Sequence, residues 1–99
     1  MTIEEIQDKL KKDEYRFSDH AIKRMIARSI ERIEVEQSVF AGEIIEEYRD
    51  DRYSPSCLIC GKTKGKRVLH VHISFPPSVV VITTYEPDPE EWINDRIRR

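Results

Sequence analysis

The residues best suited to chemistry lie in one stretch, Phe17-Ser18-Asp19-His20-Ala21-Ile22-Lys23-Arg24-Met25-Ile26-Ala27-Arg28. His20, Arg24 and Arg28 recur at i, i+4 and i+8, so on a helix they form one ridge. An imidazole can give or accept a proton near neutral pH. Guanidiniums stay charged and present a planar fork that fits phosphate oxygens. Together they can bind a phosphodiester and act on it; a solvated basic helix face is the competing reading. Further along the chain, His70, Thr83 and Tyr85 supply a second imidazole, a hydroxyl and a phenol. That set is what a metal-free ribonuclease needs: a base for the ribose 2′-hydroxyl, an acid for the leaving oxygen, and fixed cations for the crowded phosphorane. His20 reaches His70 only if the helix end lies at a sheet edge. The loop Lys62-Thr63-Lys64-Gly65-Lys66-Arg67 can guide a phosphate backbone through Lys62, Lys64, Lys66 and Arg67. Lysines there also keep a sheet edge soluble.

A metal site is the other chemistry on offer. Cys57-Leu58-Ile59-Cys60-Gly61, followed by His70 and His72, has zinc-knuckle spacing. Yet residues at i and i+3 of a regular strand point to opposite faces, and Leu58-Ile59 reads as plain strand. No metal and no cofactor is therefore expected.

Elements must position these groups. Thr2 and Glu5 fit a capping box for a helix over residues 2 to 12, with Ile3, Ile6 and Leu10 on one stripe. Tyr15 to Phe17 reads as an extended connection. Ser18 is a good N-cap for the His20 helix, and Phe17 with Ile22 fits a hydrophobic staple. Ala21, Ile22, Met25 and Ile26 share the side expected to face the core. A third helix is expected over Ile30 to Phe40, without a favoured cap at Glu31, ended by a left-handed Gly42. Ile44 to Tyr48 reads as a strand, and Asp50-Asp51-Arg52-Tyr53-Ser54-Pro55 as a turn.

Cys57 to Lys62 and Val68 to Phe75 predict a hairpin around Thr63-Lys64-Gly65. Leu69, Val71, Ile73 and Phe75 alternate with Val68, His70, His72 and Ser74, which puts both histidines on the face away from the core. Val79 to Tyr85 is β-branched and predicts a central strand buried on both faces. If its Val80 and Ile82 face the core, Thr83 and Tyr85 join the histidines. Asp88-Pro89-Glu90-Glu91 signals a C-terminal helix, with Trp92, Ile93 and Ile97 turned inward. The expected fold class is α+β: N-terminal helices packed on a twisted antiparallel sheet, then a C-terminal helix.

At 99 residues the chain suits a single domain with one thin core. A net charge of −2 argues against non-specific coating of nucleic acid. The charge is uneven, though: no acid lies between Arg52 and Tyr85, so a local basic patch suits a specific anion. No apolar run is long enough to span a membrane, and the acidic start Met1-Thr2-Ile3-Glu4-Glu5 is unlike a signal peptide. A cytoplasmic protein is expected.

Several segments also carry a family resemblance. Ser18-Asp19-His20-Ala21, Arg24-Met25 and Arg28 open it. Gly42-Glu43-Ile44-Ile45-Glu46, Ser56-Cys57-Leu58-Ile59, Gly65-Lys66-Arg67-Val68-Leu69-His70-Val71, Ile82-Thr83-Thr84-Tyr85-Glu86-Pro87 and Asp88-Pro89-Glu90-Glu91-Trp92 continue it. In this order they resemble the uncharacterised bacterial family known as domain of unknown function 4258. The resemblance implies the fold of RelE-like toxins, alongside barnase and the colicin ribonuclease domains. It also implies a toxin of a type II toxin–antitoxin pair, encoded next to a small antitoxin of zinc-finger type. The implied activity is metal-independent cleavage of RNA, free or ribosome-bound. His20, Arg24, Arg28, His70, Thr83 and Tyr85 are the polar positions that match. The alternative function is a non-catalytic RNA- or protein-binding regulatory module on the same basic ridge.

Overall fold

The computed structural model describes residues 1–50 and 54–99. The expected turn falls partly on Asp51, Arg52 and Tyr53, which lie outside the described residues.

Helix α1 (Ile3–Lys11) starts at the expected capping box, with the Thr2 amide donating to Glu5 Oε1 at 3.1 Å. It buries Ile6 and Leu10. Strand β1 (Tyr15–Phe17) leads into α2 (Asp19–Arg28), where Ser18 Oγ accepts the Ala21 amide at 3.0 Å. Helix α3 (Arg32–Ala41) begins with the Glu31 amide donating to the Glu34 carboxylate at 2.9 Å. Strands β2 (Glu43–Tyr48), β3 (Ser56–Lys62), β4 (Val68–Ser74) and β5 (Val79–Tyr85) follow. The main sheet has the order β1-β5-β4-β3-β2.

The predicted hairpin forms in full register, from Ser56 opposite Ser74 to Lys62 opposite Val68. One face of the sheet packs against the helices. Leu69, Val71, Ile73 and Phe75 join Ile6, Ala21, Met25, Val35 and Val39 in that core. At Gly61 a Cβ would lie 1.8 Å from the Ser38 carbonyl oxygen, so α3 rests directly on the β3 backbone.

Five expectations need correction. First, the sheet is mixed, because the residues read as a mere connection, Tyr15 to Phe17, pair in parallel with β5 at one edge. Second, β5 is not a central strand buried on both faces; it lies next to the edge and faces the core with Val79, Val81 and Thr84 only. Val80 and Ile82 point the other way. The cause is a β-bulge: His72 pairs with Thr83 but Ile73 with Val81, so Ile82 is an extra residue and the side-chain phase flips there. Thr83 and Tyr85 thus reach the histidine face by a different route from the one expected.

Third, Gly42 ends α3 at φ −99°, in extended backbone; it is small because a Cβ there would come within 2.5 Å of two carbonyl oxygens, those of Ser38 and Cys60. Fourth, only Ala21 and Met25 of the expected apolar side of α2 are buried, whereas Ile22 and Ile26 are exposed.

Fifth, there is no C-terminal helix. Asp88 does open a turn, its carbonyl accepting the Glu91 and Trp92 amides. The chain then folds into a short hairpin of β6 (Trp92–Ile93) and β7 (Ile97–Arg98). Asn94 and Asp95 sit between them at φ 52° and 63°, a left-handed pair that reverses a hairpin and breaks a helix.

Candidate functional site

Helix α2 has two unlike flanks on either side of its buried line. At about 100° per residue, Ala21 and Met25 mark that line. His20, Arg24 and Arg28 project to one side of it, Ile22 and Ile26 to the other. The cationic flank runs toward the end of β5. Beyond Val81 this strand has no β1 partner, and α2 supplies its hydrogen bonds instead: Ser18 Oγ donates to the Ile82 carbonyl at 3.0 Å and Arg28 Nη1 to the Thr84 carbonyl at 3.1 Å. Arg28 is thereby held at the rim of a cleft of about 510 Å³ lined by Arg28, Tyr85, Glu86, Asp88 and Glu91.

His70 stands behind Tyr85. The two residues are register partners, and the phenol oxygen lies 3.3 Å from His70 Nδ1. His70 Nε2 faces the carbonyl oxygen of Asp95. A carbonyl can only accept, so Nε2 carries the hydrogen, and Nδ1 accepts from the Tyr85 hydroxyl. The C-terminal hairpin encloses the imidazole, with Trp92 packed edge-on at 4.5 Å between ring centroids. Burial pushes the His70 pKa down, away from the charged form, and pushes the Tyr85 phenol up. Both members of the pair are therefore neutral at pH 7. Arg98 holds the hairpin down, stacking on Trp92 and donating to the Glu46 carboxylate at 2.9 Å. That contact lowers the Glu46 pKa.

The structure gathers Arg28, Tyr85 and His70 and leaves the other sequence candidates outside the cleft. His20 lies about 12 Å from Arg28 along the helix axis, with Arg24 midway. Both are exposed, and among the described residues neither side chain makes a hydrogen bond or ion pair. Thr83 lies deeper on the open face, opposite His72, whose Nε2 is 2.9 Å from Ser56 Oγ. Lys62 is exposed at the end of β3, and Lys64 and Lys66 are exposed on the β3–β4 loop.

Arg67 is committed elsewhere. Its guanidinium donates to the carbonyls of Arg28 and Ser29, both at 2.8 Å, and pairs with Glu34 at 3.2 Å and Glu86 at 2.9 Å. It caps the C-terminus of α2 and holds the lysine loop beside it. Cys57 points into the helix-side core, where burial raises its thiol to about 12, while Cys60 faces the opposite side. They cannot form one pair of zinc ligands on this strand.

Sequence reasoning missed Asp88 and Glu91 as cleft residues, because their spacing read as a helix cap. Only the contact between the C-terminal segment and β5 reveals them.

No curated protein and no solved structure matches the chain. The model of the family described as domain of unknown function (DUF4258) matches residues 17–86, a span that holds α2, α3, strands β2 to β5, Arg28, His70 and Tyr85 and stops before the hairpin that covers His70. The chain belongs to that family.

Proposed function

We propose that this protein is the toxin of a type II toxin–antitoxin pair, a cytoplasmic, RelE-like, metal-independent endoribonuclease. One observation carries the reading: Arg28, anchored to Thr84, and Tyr85, held by His70, line the same cleft. Arg28 holds the scissile phosphate and offsets charge on the phosphorane. Glu91 is the cleft carboxylate whose side chain makes no hydrogen bond or ion pair among the described residues, whereas Glu86 pairs with Arg67 and Asp88 accepts the Glu90 amide; Glu91 takes the proton of the ribose 2′-hydroxyl as that oxygen attacks phosphorus. The bond to the 5′ oxygen breaks, and Tyr85, its hydroxyl hydrogen turned from His70 into the cleft, gives that oxygen its proton. His70 acts as a positioning residue, since it is sealed from the cleft. His20, Arg24, Lys62 at the end of β3 and the loop lysines Lys64 and Lys66 extend a cationic track for neighbouring phosphates, and Thr83 lies outside it. A small antitoxin, of zinc-finger type, is the protein partner in this reading.

The second reading, a non-catalytic RNA- or protein-binding regulatory module, is favoured by the charge of the cleft. Glu86, Asp88 and Glu91 line it beside Arg28, with Glu86 also paired to Arg67, an unusual setting for a phosphate. Expression in bacteria without an antitoxin tests the choice. Growth arrest and RNA cleavage by wild type, both lost in folded Arg28→Ala and Tyr85→Phe, support the enzyme. Unimpaired growth with intact RNA supports the binding module.

A further inference from the structure

The His70–Tyr85 pair, when neutral, holds one hydrogen too few for Tyr85 to serve the cleft. His70 is wholly buried and Tyr85 lines the cleft, with 3.3 Å between Nδ1 and the phenol oxygen. The Nε2 hydrogen is taken by the Asp95 carbonyl. A single hydrogen, that of the phenol, is left for the contact between the two rings. While it points at Nδ1, Tyr85 offers the cleft no donor. Once it turns into the cleft, two lone pairs face each other in a buried contact. A proton on Nδ1 removes the conflict. The imidazolium then donates to the phenol oxygen, and the hydroxyl hydrogen is free for the cleft.

We propose that His70 is the proton source behind Tyr85, so that the form competent for cleavage carries a protonated imidazole. This rests on the ribonuclease reading. The 2′ oxygen bonds to phosphorus as Glu91 takes its proton. The bond to the 5′ oxygen breaks, and its electron pair stays on that oxygen. Tyr85 gives its hydrogen to the 5′ oxygen and receives the Nδ1 hydrogen in the same movement. The phenol and the imidazole both end neutral, with Nε2 still bonded to Asp95. Solvent then returns a proton to His70 and removes the one on Glu91. Without the second proton Tyr85 would end as a phenolate, a charge that burial opposes. His70 remains a positioning residue, since it acts only through Tyr85.

The charged groups around the imidazole are Glu46 on β2, and Asp95 and Arg98 on the C-terminal hairpin. Cys60, its register partner on β3, has a thiol raised by burial, and His72 lies two residues along β4. Burial lowers the His70 pKa most, and Asp95 and Glu46 pull it back. The imidazolium is therefore a minor species at pH 7 that grows as pH falls.

Single-turnover cleavage of a single-stranded RNA by the full chain, followed from pH 8.5 to 5.5, reads that proton. The rate should rise about tenfold per pH unit between 8.5 and 7 and level off below about 6.5. His70→Gln, whose amide keeps a donor for Asp95 but takes no proton, should be at least about tenfold slower at pH 6.5, with a flat profile. A merely structural role would lower the rate equally at every pH. Wild type alone gives a second reading, independent of how the variant folds. Nitrogen NMR of the His70 ring is followed against pH, with and without a single-stranded DNA of the same sequence, which has no 2′-hydroxyl and is not cut. A DNA phosphate that accepts the Tyr85 hydrogen should raise the His70 pKa by about half a pH unit or more, and most of that rise should vanish in Tyr85→Phe. RNA cleaved at a rate flat between pH 8.5 and 7 overturns the proposal and leaves the ribonuclease reading standing. So does a His70 pKa that DNA leaves unmoved, or a rise that Tyr85→Phe retains. RNA left intact at every pH overturns the ribonuclease reading itself, and the proposal with it.

Discussion

Arg67 and Arg24 mark two regions that treat charge in opposite ways. At the end of the sheet the arginines and the buried histidine are fully engaged. Arg67 ties α2, α3 and the segment after β5 together, Arg28 completes the β5 backbone, and His70 bonds at both ring nitrogens. On the outer face of α2, His20, Lys23 and Arg24 make no such bonds among the described residues, and Ile22 and Ile26 stay in water. The fold is built at the first region and gains nothing from the second. Residues on which folding makes no demand are the ones free to meet another molecule, and mutation should separate the two regions.

The largest expected effect is at Trp92, which is almost wholly buried over His70. Trp92→Ala should cost about 3–5 kcal/mol in denaturant melts, since it removes a large side chain and uncovers the imidazole. A loss under about 1 kcal/mol would mean that the hairpin is not part of the core.

Arg67→Ala should cost about 1.5–3 kcal/mol, the usual worth of hydrogen bonds to a charged group, whereas Arg24→Ala should stay within about 0.5 kcal/mol. Equal effects would erase the contrast between the regions.

A smaller effect comes from pH. The His70 pKa is lowered by burial from its ordinary 6.5, so the unfolded chain binds the proton more readily. This contribution to stability is complete above about pH 6.5 and is lost as pH falls from there through the lower folded pKa. Glu46, also lowered, is lost in a separate window below its ordinary 4.5. Melts should therefore show wild type weakening between pH 7 and 5 more than His70→Asn does. Parallel profiles for the two proteins would show that His70 is not held neutral.

The sequence speaks clearly where local chemistry decides the structure. The Thr2–Glu5 box, the Ser18 cap and the β3–β4 alternation are each set by neighbours along the chain, and each was legible. It misleads where packing decides. No residue signals the bulge at Ile82, yet that one residue reverses the phase of β5. Asp88-Pro89-Glu90-Glu91 is a sound helix start, but Trp92 finds His70 and Arg98 finds Glu46 in the hairpin form. The apolar arc of α2 reads as all core in the sequence, because periodicity ranks residues by side and cannot say how wide a stripe the neighbouring elements will cover. As for the candidate site, residue type and spacing name Arg28, His70 and Tyr85, and the fold brings these three together. Glu91 and the committed role of Arg67 required the three-dimensional arrangement.

The most direct test of the ribonuclease reading is cleavage of a single-stranded RNA by the purified protein in excess chelator. The account predicts fragments ending in 2′,3′-cyclic phosphate and 5′-hydroxyl, at a rate that chelator leaves unchanged. Glu91→Gln, folded, should then be slower by about 10²–10⁴-fold. RNA left intact by wild type, or cleaved equally fast by folded Glu91→Gln, would contradict it.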